Sequence, residues 1–133
     1  MSTIKKPVTI VRVAPDAAPE VITLPLTLEN MQKEVGGYIE ICYPFDEGSP
    51  LDYTCLICNE EGKLQGLPAN RALYDNKGNP YDVIMGTFLV VGCHDEAELD
   101  GLTQQEVDAA LKYFAIQDGY ATVMRILRQN RRY

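Results

Sequence analysis

The chain has 133 residues, a length that suits one domain with a hydrophobic core of its own. Its 46% hydrophobic and 23% charged residues are globular values, and no apolar run reaches the about 18 residues that a membrane span needs. The net charge of −7 works against long-range attraction to nucleic acid.

The opening residues, Met1 to Pro7, lack the apolar stretch and small-residue cleavage site of a secretory signal, so a cytoplasmic protein is expected. Val8 to Val13 is β-branched and alternates, as a strand does; Ala14 to Pro19 reads as a turn and Glu20 to Leu24 as the returning strand of a hairpin. Pro25 ends that strand. Thr27 is placed to cap a helix whose apolar residues, Leu28, Met31 and Val35, recur at three and four. Asn30 stands where a full capping box would have Glu. Gly36 and Gly37 end the helix.

Tyr38 to Tyr43 reads as a strand, Pro44 to Pro50 as an acidic loop, and Leu51 to Cys58 as a central strand that becomes wholly apolar. Residues 59–71 form a long connection rich in turn formers, Asn59, Gly62, Gly66, Pro68 and Asn70. Arg71 to Tyr74 is expected to make a helical turn and Asp75 to Pro80 a loop. Val83 to Cys93 reads as one long apolar strand, with Gly86 marking a bulge or a close backbone approach. His94 to Leu102 is an acidic linker. Thr103 and Glu106 form a capping box for a helix with the stripe Val107, Ala110, Leu111 and Phe114. After Asp118 and Gly119, a second helix over 120–129 carries Val123, Ile126 and Leu127. The fold expected is α+β in a single domain over 1–133. It has a mostly antiparallel sheet of about five strands, one helix after the N-terminal hairpin, and a C-terminal helical pair over 103–130.

Gly36-Gly37-Tyr38-Ile39-Glu40, the stretch from Asn59 to Ala72, and Ile84 to Gly92 occur here in a distinctive order and spacing. Through them residues 26–92 resemble a small family known only as a domain of unknown function, found in phage, plasmid and other mobile-element proteins of bacteria. The resemblance implies an accessory protein of a mobile element and carries no reaction or catalytic residue.

Four cysteines, Cys42, Cys55, Cys58 and Cys93, stand beside one histidine, His94. Cys55 and Cys58 have the spacing of a zinc half-site but lie within an apolar strand, where residues three apart face opposite ways. Buried reduced thiols are expected, with no metal and no cofactor. Cys93 and His94 are sequence neighbours in an extended segment, so they make a poor nucleophile–base pair. His94 paired in space with Cys42 or Cys55 stays open. The carboxylates are scattered, and a solvated surface accounts for them. No catalytic set is expected.

Asn59, Lys63, Asn70 and Arg71 are the candidate ligand-binding residues: two amides, an ammonium and a planar guanidinium fork suited to an anion. The alternative is a structural loop with Arg71 paired to a local acid such as Glu60. Tyrosines, among them Tyr38, Tyr43, Tyr53 and Tyr81, suit an interface or the rim of a core. Acids dominate from Glu40 to Asp118, whereas Arg125, Arg128, Arg131 and Arg132 make the end of the chain basic. The function expected is a non-catalytic binding module of a mobile element. It would act by protein contact, countering a host nucleic-acid-binding factor by occupying its basic groove. The alternative is a binder of a nucleotide or other small anion. Direct nucleic-acid binding is not expected, no membrane association is expected, and self-association is left open.

Overall fold

The computed structural model describes residues 5–115. The expected second C-terminal helix, over 120–129, and the basic end of the chain lie outside the described residues. Strands β1 (Pro7–Val13) and β2 (Glu20–Pro25) form the predicted hairpin in unbroken antiparallel register, from Pro7 opposite Pro25 to Arg12 opposite Glu20. Helix α1 (Leu28–Val35) follows. Its Thr27 cap accepts the Asn30 backbone N–H, while the Asn30 side chain turns back to the Pro25 carbonyl. Gly36, with φ +81°, ends the helix in the left-handed conformation that glycine adopts without penalty.

β3 (Ile39–Cys42) and β4 (Thr54–Asn59) come next, then β5 (Ala69–Tyr74), β6 (Pro80–Met85), β7 (Phe88–Asp95), β8 (Glu98–Asp100) and α2 (Gln104–Tyr113). The main sheet runs β2-β1-β7-β4-β3, all antiparallel. β8 pairs with the end of β7; Gly92 faces both Thr54 of β4 and Asp100 of β8, so β8 continues the edge that β1 occupies further back. β5 and β6 form a separate two-stranded ribbon.

Alternation sorts the apolar side chains onto the two faces of the sheet. Ile10, Cys55, Ile57, Leu89 and Val91 pack with Leu26, Met31 and Val35 from α1 and the turn before it. Val11, Val13, Leu56, Cys58, Phe88 and Val90 face the other way, onto Leu73 and Ile84 of the ribbon and Val107, Ala110 and Phe114 of α2. The described residues thus form three layers: α1, the sheet, and ribbon plus α2. The rings of Phe88 and Phe114 meet edge to face at 5.0 Å.

Three local expectations give way. Arg71 to Tyr74 is strand, because its carbonyls and amides pair with β6. The long strand over 83–93 is two strands in different sheets, broken at Gly86. That residue has φ +81° and donates to the Pro68 carbonyl at 2.7 Å, and a Cβ on it would stand 2.8 Å from Leu67 Cδ1. Glycine there permits both the turn and the close approach. The acidic segment after His94 contains β8, whose pairing to β7 alternating sequence patterns do not announce in three residues.

Candidate functional site

The four predicted binding residues fall into two separate pairs, Asn59 with Lys63 and Asn70 with Arg71. Asn59 closes β4 and is nearly buried; its amide donates to the Val35 carbonyl at the end of α1, and its oxygen accepts the Glu61 N–H. Lys63 is exposed and pairs with Asp82 at 2.8 Å. Asn70 is 1% exposed. Its amide donates to the carbonyls of Val13 and Gly86, both at 2.8 Å, and its oxygen accepts Arg71 Nη1 at 2.8 Å. Arg71 is also buried: Nε donates to the Phe114 carbonyl at 2.9 Å and Nη2 to the Ala17 carbonyl at 2.6 Å. Asn70 and Arg71 therefore tie β5 to the end of β1, to the β1–β2 turn and to the end of α2. Arg71 engages these backbone carbonyls, not the Glu60 carboxylate considered from sequence.

Asn59 and Lys63 border a cleft of about 150 Å³ between the β3–β4 face and the ribbon. Leu73 and Ile84 line its floor, and Glu40, Glu60 and Asp82 its rim. Three carboxylates against one ammonium make it unfavourable to an anion. Cys42 and Cys58 also line it. The two cysteines are diagonal neighbours, since Cys42 pairs with Leu56 and Glu40 with Cys58. The Cys58 thiol donates to Cys42, which lowers the Cys42 pKa and, together with burial, raises that of Cys58. Cys55 and Cys93 make a second diagonal pair across β4 and β7, on the α1 face. Burial pushes the Cys55 thiol up to about 12. Cys55 and Cys58 thus sit on opposite faces of the sheet, and one metal ion cannot take both.

His94 meets neither Cys42 nor Cys55 among its hydrogen-bond partners. Nδ1 lies 2.8 Å from Asp100 and Nε2 2.9 Å from both carboxylate oxygens of Glu106. Glu106 is nearly buried and also accepts the Thr103 N–H, completing the predicted capping box. Burial disfavours the imidazolium, but the bonds to Asp100 and Glu106 outweigh it and raise the His94 pKa. Tyr53 stacks on the ring at 6.4 Å. The arrangement joins β7, β8 and the start of α2. The capping box is legible in the sequence; the histidine that shares its carboxylate is brought there only by the fold.

A family model described as a domain of unknown function, DUF3846, matches residues 8–115. The chain belongs to that family. The DUF3846 match is wider than the stretch 26–92 picked out by motifs: it takes in the β1–β2 hairpin and α2, which complete the two core faces. No curated protein and no solved structure matches the chain. Among the described residues of this DUF3846 domain, no helix is long and apolar enough to cross a membrane.

The surface around β3 is the other distinctive feature. Tyr38 and Tyr43, at its two ends, are each 67% exposed, and Ile41 between them is exposed as well. Leu64 is exposed at the cleft, Tyr81 on β6, and Tyr53 in the turn before β4. Glu40, Glu60, Glu61, Asp46 and Glu47 are exposed among them. This combination of aromatic rings and carboxylates is made by β3, its flanking turns and the loop after β4.

Proposed function

We propose that this domain is a non-catalytic protein-binding module of a mobile genetic element, and that it contacts a basic surface of its partner through the tyrosine-bearing acidic edge around β3, where both faces of the strand are exposed. The observation that carries this reading is the exposure of Tyr38, Ile41 and Tyr43 among carboxylates. Tyrosine gives large contact area at small entropic cost, and surrounding charge steers association. The small-anion alternative loses support because Asn70 and Arg71 are engaged inside the fold and Lys63 faces an acidic cleft. A basic partner surface is what a nucleic-acid-binding host factor offers, so occupying that surface would block it. The mobile-element setting rests only on what the family resemblance of residues 26–92 implies.

The test is affinity capture from lysate of the host cell, with the wild-type protein and with a Tyr38→Ser, Tyr43→Ser double variant. The expected result is a retained protein that elutes as salt rises and that the double variant fails to hold. Retention indifferent to both salt and the double substitution would remove this reading.

A further inference from the structure

β3 is the last strand of the main sheet, and among the described residues no strand lies beyond it. The direction of its backbone groups follows from the register. The Glu60 N–H donates to the Tyr38 carbonyl at 2.8 Å, which makes Tyr38 and Glu60 a hydrogen-bonded pair. In an antiparallel ladder such pairs alternate with non-bonded ones. Glu40 opposite Cys58 and Cys42 opposite Leu56 are then bonded to β4, and Ile39 and Ile41 turn their N–H and C=O groups outward. An open edge of this kind is a template for another strand.

The side chains beside that edge indicate what it takes. Glu40 is exposed, and among the described residues it has no cationic partner; it accepts the Cys42 thiol at 3.7 Å. It stands at the rim of the cleft with Asp82 on the far side and the apolar Leu73 and Ile84 below. A lysine or arginine directly across from Glu40 would lay its aliphatic stem over that floor and bring its charge to the carboxylates. A second copy of β3 fits less well, because a two-fold pairing about Glu40 sets Glu40 against Glu40, and one about Ile41 sets it against Cys42 and leaves it without a cation. The opposite edge, β2, is bounded by Pro25 and has Glu20 paired to Arg12.

We propose that an extended, basic segment of a partner protein adds to the free edge of β3, seating a lysine or arginine side chain against Glu40 at the mouth of the cleft. This rests on the protein-contact reading above and names its geometry.

The experiment selects binders from a displayed library of random short peptides on the intact protein, then measures the best synthetic peptide by calorimetry and amide exchange. Enriched peptides should alternate basic and apolar residues, and the Ile39 and Ile41 amides should become protected on binding. Ile41→Pro removes an outward donor without touching the β4 ladder, a substitution edge strands tolerate. It should weaken binding about tenfold, and Glu40→Lys by at least as much. Val21→Asp on β2 should leave binding unchanged. Enrichment of acidic or non-alternating peptides, no enrichment at all, or full affinity in Ile41→Pro would overturn the proposal. So would a dimer of the protein alone that Ile41→Pro dissolves, since the edge would then belong to a second copy. If the captured host protein still binds in a salt-sensitive way to Ile41→Pro, protein contact stands and strand addition falls.

Discussion

Replacing Arg71 by Met separates a structural arginine from a ligand-binding one. Methionine keeps much of the apolar stem and removes the guanidinium. The loss includes bonds to the Phe114 carbonyl at 2.9 Å, the Asn70 side-chain oxygen at 2.8 Å and the Ala17 carbonyl at 2.6 Å. Hydrogen bonds from a charged donor contribute about 1.5–3 kcal/mol each. Removing a buried cation recovers part of its desolvation penalty, while at least four oxygens lose a donor. Each buried acceptor left without its donor costs about 1–3 kcal/mol, and after that recovery we expect a net loss of about 3–5 kcal/mol for Arg71→Met. Domains of this kind have about 5–15 kcal/mol to lose. At a urea slope of about 2 kcal/mol per molar, the midpoint followed by circular dichroism should fall by about 2 M. Arg71→Lys keeps the charge but not the fork and should lose most of the same stability. A midpoint within about 0.5 M of wild type for Arg71→Met would refute the assignment and return Arg71 to the surface chemistry expected from sequence.

Two further outcomes follow from the titrating groups. The folded pKa of His94 lies above its ordinary 6.5, so its contribution to stability is complete below that value and is lost as pH rises through the folded one. Thermal melts should therefore drop from mildly acidic to mildly alkaline pH, and His94→Gln should flatten that slope; an unchanged slope in the variant would place its origin elsewhere. For the thiols, brief alkylation near neutral pH followed by peptide mass spectrometry should mark Cys42 first, because it is half-exposed and its thiolate accepts a hydrogen bond. Cys55 should react only on unfolding, being buried with its pKa near 12. Labelling of Cys55 at the Cys42 rate would contradict the burial of Cys55.

The local signals in this sequence translated directly into structure. Thr27 and Gly36 bound α1, Thr103 and Glu106 cap α2, and the alternation of Val11, Val13, Leu56 and Cys58 against Ile10, Cys55 and Ile57 sets the two faces of the sheet. These depend on residues a few positions apart, where backbone sterics and side-chain periodicity are decided within the segment itself. The same locality misleads at 83–93, where an apolar run looks continuous although Gly86 sends its halves to different sheets. It misleads again at Arg71 to Tyr74, whose strand pairing comes from β6.

Asn70 and Arg71 show the limit most clearly. From sequence they are a polar pair at the end of a turn-rich stretch, with the right chemistry for a ligand. Their acceptors on Val13, Ala17 and Phe114 lie 57, 54 and 43 positions away along the chain. Which carbonyl a buried donor meets is fixed by how the layers stack, and no local pattern carries that information. The open edge of β3 has the same origin. Tyr38 to Tyr43 announced a strand and its alternation, but its place at the border of the sheet, and so its free outward-facing amides, came from the order in which β4, β7 and β1 pack beside it.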